Sequence, residues 1–416
     1  MRILGNNVQI ESMDIDNVNT VLIGAPGTGK TRSYVLPNLM SAEEESLIVL
    51  DPKGEIYDMS ASLMEKKGFN VLLLDFVNPE SSEVQYNPLD YCRSEEDIIK
   101  LSRLLSEDQL KKSTDIFWGL TAQLLCNALV GFLKAHRPEQ DQHLGSLIRL
   151  LRYATVSEDN CDEHVSKLDA IFLEVQKKTP SSWALSQYEL IKRAAGRTQK
   201  SIIISLISTF GSWMTPQMTE MTSVNTLDID DLCQSKTVLF VKCSDTDRSK
   251  DTLVALFFMQ LFQQLYRIAD NSQSHSLPRP VHVILDDVGA NLKIPNMDGI
   301  ISTSRGRGIS LSLILQSVGQ LKKQYDDYTS ILNSCNNLVF LGGSDVETCR
   351  EMSARLDKPL YDVLYKAKNV IYIFRQGYKP ITTTVYDLTS HPQYRYLSEY
   401  RKHNALDQKE ECIYEK

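Results

Sequence analysis

The feature that constrains this chain most is a glycine-rich run near its beginning, Gly24-Ala25-Pro26-Gly27-Thr28-Gly29-Lys30-Thr31. An apolar stretch, Thr20–Ala25, precedes and enters the run, and Lys30–Met40 follows with helical periodicity. Glycines at this spacing let successive backbone N–H groups turn inward around a phosphate, and the N-terminus of a following helix favours an anion. The pattern predicts a P-loop that binds nucleotide phosphates, with Lys30 at the β- and γ-phosphates and Thr31 on Mg²⁺.

Short, continuously apolar segments alternate with helical segments on both sides of this run. Such alternation is typical of an α/β fold with a parallel sheet covered by helices on both faces. The last segment is expected to form a hairpin with the strand before it, because the turn Gly377–Pro380 lies between them. The predicted strands are Thr20–Ala25, Ser46–Asp51, Asn70–Phe76, Thr237–Cys243, Val281–Asp286, Leu311–Gln316, Asn337–Leu341, Val370–Phe374 and Ile381–Tyr386.

The strand signal is interrupted by a long block with helical periodicity, from Ser94 to about Trp213. We therefore expect an all-α domain, 94–213, inserted into a nucleotide-binding domain made of 1–93 and 214–416. Outside the block, a long amphipathic helix is predicted over about Arg248–Ala269.

The predicted strand Val281–Asp286 ends in two acids, Asp286 and Asp287. An apolar strand ending in acids supplies the second half of a P-loop site. Asp286 is expected to hold Mg²⁺ through water, and Asp287 to orient or deprotonate the attacking water. Gln316 ends the next predicted strand, where a polar residue of a motor ATPase contacts the γ-phosphate or water; an ordinary strand-end glutamine is equally compatible with the pattern.

A basic loop, Ser304-Arg305-Gly306-Arg307-Gly308, precedes that strand. It is either an exposed loop or a phosphate contact, since arginine suits phosphate recognition. If subunits form a ring, Arg305 becomes a candidate arginine finger that acts on a neighbour's nucleotide.

Composition adds modest constraints. Hydrophobic residues make up 42% and charged residues 24% of 416 residues, which is usual for globular proteins, and the net charge of −8 argues only weakly against nucleic-acid binding. The eight cysteines show no C-x-x-C spacing and are expected to be reduced thiols. No signal peptide is recognisable, and the most apolar stretches, Ser201–Phe210 and Leu253–Phe262, are about half of a membrane span. These features predict a soluble cytoplasmic chain.

Several runs together resemble the type IV secretion coupling proteins, the TraG/TraD-like ATPases of conjugation. They occur in the family's order and cover nearly the whole chain. The most specific are VLDPKGEIYD at 49–58 and VILDDVGANLKIP at 283–295; the others are GAPGTGKTRSYVLPNL (24–39), YNPLDY (86–91), IFWGLTAQLL (116–125), SRGRGISLSLILQSVGQL (304–321), LVFLGG (338–343) and IFRQGYKP (373–380).

The resemblance implies a RecA-like P-loop NTPase core with an inserted all-α domain for cargo or relaxosome recognition. It implies a DNA-translocase type of ATPase that uses ATP and Mg²⁺, forms a hexamer when membrane-anchored, and works at the cytoplasmic face of the bacterial inner membrane. Its partners would be single-stranded DNA, the relaxase and relaxosome, and the secretion channel. The family's site roles fall on Lys30, Thr31, Asp286, Asp287 and Gln316, with Arg305 as the trans-acting arginine.

Two departures from the family pattern leave alternatives open. Members usually have Asp-Glu at the acidic pair, whereas the second acid here is Asp287, which is one methylene shorter. Members usually also begin with transmembrane helices, and no such helix is recognised in this sequence. We therefore expect either a soluble part that is monomeric in solution or a protein that docks on a separate membrane partner. The alternative to a motor is a nucleotide-gated cargo adaptor with little ATPase activity. A division- or sporulation-type DNA pump is disfavoured by the D-P-K-G-E and Y-N-P-L runs.

Overall fold

The glycine-rich run lies at the carboxyl end of an inner strand of a nine-stranded sheet. The computed structural model describes residues 1–11, 17–107, 116–154, 165–194, 196–288 and 292–398, without the side chains of Ile116 and Arg197. The chain divides into two compact units. The sheet unit contains Met1–Val77, Asp228–Asp251 and the chain from Leu261 onward, and the helical unit contains Asn78–Leu227 and Thr252–Gln260.

The sheet has the strand order β11-β10-β9-β3-β8-β7-β4-β6-β5. Seven neighbouring strands, from β9 to β5, are parallel, whereas β10 is antiparallel to both β9 and β11. A separate two-stranded hairpin, β1-β2, begins the chain. The bounds are β1 Arg2–Gly5, β2 Val8–Ile10, β3 Thr20–Gly24, β4 Ser46–Asp51, β5 Asn70–Asp75, β6 Thr237–Lys242, β7 Val281–Leu285, β8 Ile309–Leu315, β9 Asn337–Gly342, β10 Val370–Arg375 and β11 Ile381–Thr384.

Helices connect the strands of the sheet unit. The strand β3 leads into a π-helical turn, Thr31–Val35, that continues as α1, Leu36–Ser41, and β4 leads into α2, Glu55–Lys66. The other helices of this unit are Ile229–Leu232, Met297–Ser304, Val318–Gln324, Tyr328–Asn333, Val346–Leu356 and Leu360–Leu364, with short 3-10 turns at Arg248–Lys250, Arg305–Arg307, Leu388–Ser390 and Tyr394–Tyr396.

The strand predictions agree with the structure to within about two residues at each end, and the final hairpin is confirmed by the antiparallel pairing of β10 with β11. The sheet is parallel as expected up to β9, but the antiparallel pairing of β10 with β9 was not predicted, because an apolar run does not specify strand direction. The hairpin β1-β2 was not predicted. Its Arg2 is fully buried and donates hydrogen bonds to Glu45 and to the buried His282. Arginine is usually exposed, so the sequence pattern did not indicate that this residue is internal.

The helical unit is larger than the predicted segment 94–213. It includes Thr252–Gln260, the first half of the long helix Asp251–Asn271, because Tyr86 hydrogen-bonds Gln260 and packs edge-on against Phe257 at 5.1 Å between ring centroids. All regular elements described in this unit are helical: Glu95–Leu105, Ile116–His136, Leu144–Tyr153, Lys167–Lys178, Trp183–Lys192, Gly196–Gly211, Pro216–Met221 and 3-10 turns at Pro79–Ser81, Pro88–Tyr91 and Glu139–Asp141.

The helix Ile116–His136 is the one described helix that is long and apolar enough to cross a membrane, over Phe117–His136. Two thirds of its most apolar window is buried inside the protein, which is typical of a core helix. The described cysteines are also buried and form no disulfide, and burial raises the pKa of Cys126 to about 12; Cys161 and Cys412 lie outside the described residues.

Candidate nucleotide site

The glycine-rich run forms a tight loop between β3 and the helix that follows. Gly27 and Gly29 have φ of 76° and 84°, a left-handed conformation that glycine adopts without strain. Thr28 closes the loop, since its backbone N and its hydroxyl both donate to the carbonyl of Ala25, at 3.2 and 2.7 Å. The backbone N of Ala25 donates to Gly342 of the adjacent strand at 2.9 Å, so the loop is anchored to the sheet.

Lys30 lies across the mouth of this loop. Its Nζ donates to the carbonyl of Gly24 at 3.0 Å, which places the ammonium at the start of the loop. Ser33 bonds the Gly29 carbonyl through both its backbone N, at 2.8 Å, and its hydroxyl, at 2.9 Å, so the helix starts directly at the loop. A helix N-terminus and a lysine therefore converge on one point, and this combination attracts phosphate.

The acidic residue Asp286 lies directly after β7 and faces the loop. Its Oδ2 accepts from the Thr31 hydroxyl at 3.5 Å, and the residue is 9% exposed. Burial raises the pKa of Asp286 to about 7, and nearby Asp287 and Asp51 act in the same direction, while Lys30 opposes them. A buried carboxylate surrounded by other acids is stabilised by a divalent cation, and oxygen ligands are those that Mg²⁺ prefers.

Asp287 and Gln316 contact each other directly. Asp287 has φ of 53°, a strained conformation for a residue with a side chain. Gln316 holds it by donating from Nε2 to both carboxylate oxygens, each at 3.0 Å, and Gln316 itself is fixed by a bond from its backbone N to Gln320 at 2.9 Å. The two predicted residues thus form one unit at the ends of adjacent strands.

Asp51, which ends β4 next to β7, is a site residue that was not predicted. Its Oδ2 accepts the backbone N of Tyr57 at 2.9 Å, and the turn between them passes through Gly54 at φ 75°. Burial raises the pKa of Asp51. The D-P-K-G-E run marked this position, but its closeness to Asp286 depends on the pairing of β4 with β7, which sequence spacing does not reveal.

These groups line one open cleft of about 590 Å³. It contains most of the predicted loop, both predicted acids, Gln316 and the start of α2. The lining residues are Pro26, Gly27, Gly29, Lys30, Thr31, Arg32, Asp51, Pro52, Lys53, Glu55, Ile56, Asp58, Met59, Asp286, Asp287 and Gln316.

Arg305 is not brought into this cleft. It begins an exposed 3-10 turn just before β8, at the opposite end of that strand from Gln316. Its neighbour Arg307 is held in place, donating from Nε and Nη2 to both carboxylate oxygens of Asp270 at 2.8 and 3.3 Å and lying over the ring of Tyr266. Because Arg305 lies at the end of β8 that is away from the cleft, it does not act on a nucleotide bound by its own subunit.

The residues fit a nucleotide with Mg²⁺. The positive-φ glycines leave open space, since a Cβ at Gly27 or Gly29 has no neighbour within 4 Å, and Lys30 supplies charge. Thr31 and Asp286 supply adjacent oxygens for the metal. The cleft can therefore bind phosphate and a metal ion, and the Asp287 carboxylate lines the same cleft.

Comparison with known proteins agrees with this geometry. Residues 10–358 match the family model described as type IV secretory system conjugative DNA transfer. The chain is 23% identical to the conjugal transfer protein TraG of Rhizobium radiobacter over 348 residues, which is 80% of this chain and 51% of TraG. It is also 23% identical to VirD4 of the same organism over 376 residues, 85% of this chain and 49% of VirD4. The chain thus spans about half the length of these curated relatives.

Solved structures show the same fold. The plasmid coupling protein TrwB in complex with ADP and Mg²⁺ superposes with a TM-score of 0.64 at 15% identity, covering 89% of this chain and 85% of TrwB. VirB4 of Thermoanaerobacter pseudethanolicus superposes with a TM-score of 0.53 at 15% identity, covering 94% and 97%. These likenesses confirm the RecA-like core with a helical domain. Because the family model matches well over half of the chain, this protein belongs to the type IV secretory system conjugative DNA transfer family, that of the coupling proteins.

Proposed function

We propose that this chain binds and hydrolyses MgATP and uses the energy to move single-stranded DNA, with its attached relaxase, into a type IV secretion channel. The observation that carries the proposal is the convergence of Lys30, Thr31 and Asp286 on one loop whose glycines leave room for phosphates. Family membership supports the conjugative role. TrwB, which shares the fold, has been solved with ADP and Mg²⁺ and with an ATP analogue.

The residues divide the chemistry among them. Residues 24–31 hold the phosphates through backbone N–H groups, and Lys30 neutralises the β- and γ-phosphates. Thr31 and Asp286 hold Mg²⁺, which supplies charge stabilisation to the transferring phosphoryl group when bound. Asp287 orients the attacking water and accepts its proton, while Gln316 fixes the direction of that carboxylate and links it to β8.

A second candidate function is a nucleotide-gated cargo adaptor with weak hydrolysis. The specific observation behind it is that Gln316 engages both oxygens of Asp287, a short acid, which limits its freedom to position water. In this case nucleotide binding would switch the conformation of the Asp287–Gln316 unit without rapid turnover.

Family membership supports a proposal about the assembly and its partners. We propose a hexamer at the cytoplasmic face of the inner membrane, in which Arg305 of one subunit serves the nucleotide of the next. Residues 94–213 of the helical unit are proposed to recruit the relaxosome. Exposed apolar side chains on its helices, such as Phe117 and Leu120 at 48% and 53% exposure, offer protein contacts.

Nucleotide binding and turnover test the proposal. MgATP affinity and phosphate release are measured for the wild type, Lys30→Ala, Asp287→Asn and the control Lys323→Ala, which removes an exposed lysine outside the cleft. We expect Lys30→Ala to lose binding, Asp287→Asn to bind but not hydrolyse, and the control to match the wild type. Normal turnover by a folded Lys30→Ala protein refutes the site, and normal turnover by Asp287→Asn assigns the base elsewhere.

A further inference from the structure

The first turn of the helix after the glycine loop is not an ordinary α-helical turn. Residues Thr31–Val35 form a π-helical turn, in which the backbone N of Leu36 donates to the carbonyl of Thr31, five residues earlier. Pro37 comes next, and a proline inside a helix has no N–H for the carbonyl four residues earlier and presses its ring against that carbonyl. The sequence therefore favours a widened turn at this point, and such turns are frequent at functional sites.

The side chain of Tyr34 ties this turn to the sheet. Tyr34 is 1% exposed, and its hydroxyl forms a hydrogen bond of 2.8 Å with the hydroxyl of Ser312 on β8. Ser312 lies opposite Ile284 of β7, which is two residues before Asp286. The bond therefore fixes the turn that begins at Thr31 against the part of the sheet that carries Asp286.

A buried polar chain extends from Ser312 to the N-terminal hairpin. Arg2 donates to the two carboxylate oxygens of Glu45, at 3.1 and 3.2 Å, and to Nδ1 of His282. Burial, together with the charge of Arg2, lowers the pKa of His282, so the ring is neutral and carries its proton on Nε2. That nitrogen donates to the Ser312 hydroxyl at 2.8 Å, which leaves the serine proton for Tyr34.

The hairpin also holds the helix at a second point. The amide oxygen of Asn38, in α1, accepts from the backbone N of Ile3 at 2.8 Å, and its Nδ2 donates to the Ile3 carbonyl at 2.9 Å. The same Nδ2 donates to the carbonyl of Tyr34 at 2.8 Å. The backbone and the side chain of Tyr34 are thus both held by groups that do not line the nucleotide cleft.

We propose that Tyr34 is a positioning residue for the metal site, acting through Ser312 to hold Thr31 close enough to Asp286 for the two to share one Mg²⁺. The proposal rests on the proposed MgATP function and adds to it a residue that touches neither the nucleotide nor the metal. The glycine loop keeps its own bonds to Ala25 and Gly342 when the Tyr34 hydroxyl is removed. Loss of that hydroxyl should therefore weaken the binding of MgATP and spare the binding of metal-free ATP.

Calorimetric titration of the full chain with ATP, in excess Mg²⁺ and in EDTA, tests this role. The variants are Tyr34→Phe and Ser312→Ala, alone and combined, and the matched control is Tyr86→Phe, which removes a buried tyrosine hydroxyl from the helical unit. Because one net hydrogen bond corresponds to about a fivefold change in an equilibrium constant, each single variant should bind MgATP about fivefold more weakly than the wild type.

The double variant should lose no more affinity for MgATP than either single variant, because the two hydroxyls act as one unit. All of these variants should bind ATP in EDTA as the wild type does, and Tyr86→Phe should match the wild type under both conditions.

Three results overturn the proposal. Unchanged MgATP affinity in Tyr34→Phe shows that its hydroxyl does not position the metal site. An equal loss with and without Mg²⁺ shows a general effect on the fold, and losses that multiply in the double variant show that Tyr34 and Ser312 act independently. Each of these results leaves the proposed function standing if the wild type binds MgATP and Lys30→Ala does not. A wild type that binds ATP under neither condition refutes the proposed function and the positioning role together.

Discussion

Replacing Asp286 by asparagine should stabilise the nucleotide-free protein while removing its response to Mg²⁺. Burial and the neighbouring Asp287 raise the pKa of Asp286 from its ordinary value of 3.8 to about 7. Each pKa unit corresponds to about 1.4 kcal/mol, so the ionised carboxylate destabilises the empty fold by an amount on the order of 4 kcal/mol. Asparagine has a similar shape and carries no charge.

The sign of the pH dependence follows from the direction of the pKa. Below pH about 4 the carboxyl is protonated in the folded and unfolded states alike, and the substitution should change stability little. Between pH about 4 and 7 the unfolded state releases the proton first, which favours unfolding of the wild type. Above pH about 7 the destabilisation is complete, so the variant's advantage is largest there.

Urea unfolding at pH 4 and pH 8, with and without MgATP, measures this effect. The transition to follow is the one that MgATP shifts in the wild type, because the chain has two compact units. Asp75→Asn is the control: Asp75 is also buried at a strand end, but it pairs with Lys242 at 3.3 Å, so its loss should destabilise the protein. An Asp286→Asn protein that is less stable than the wild type at pH 8, or equally stabilised at both pH values, shows that the ionised Asp286 carboxylate does not destabilise the empty fold.

Three further predictions concern the loop, the assembly and the helical unit. Gly27→Ala should weaken nucleotide binding in titrations and destabilise the fold by about 1–2 kcal/mol in urea unfolding, because φ of 76° is strained for alanine although its Cβ meets no atom. Arg305→Ala should leave ATP affinity of the monomer unchanged and lower turnover of the ring by about 10³-fold, and mixing it with Lys30→Ala subunits should restore part of the activity; mixed rings as inactive as either parent exclude Arg305 as the finger. Phe117→Ser with Leu120→Ser should reduce relaxosome capture and spare ATP binding, and unchanged capture removes this surface from the cargo site.

The local parts of the site were predictable from sequence. Two apolar strands lead into the site: β3 is followed by the glycine loop with Lys30 and Thr31, and β7 is followed by Asp286. Parallel strands place their carboxyl ends at one edge of the sheet. Their chemistry is carried by residue types at short spacing, so the pattern is visible without knowing strand order.

What depends on strand order and long-range packing was not predictable. Asp51 reaches Asp286 only because β4 lies beside β7, with Leu50 opposite Leu285, and many residues separate the two strands. The extension of the helical unit depends on Tyr86 meeting Gln260, a contact across 174 residues. From the sequence, that part of the long helix was placed in the nucleotide-binding domain. The helical periodicity shows that one face is apolar, but it does not identify the residues against which that face packs.

The most direct test of the central claim is ATP turnover by the assembled ring, membrane-anchored or artificially hexamerised, with and without single-stranded DNA. If the chain is a DNA-translocating motor, single-stranded DNA raises turnover, and Lys30→Ala rings show none under either condition. Rings that bind ATP but hydrolyse it negligibly, with no response to single-stranded DNA, contradict the motor and favour the adaptor.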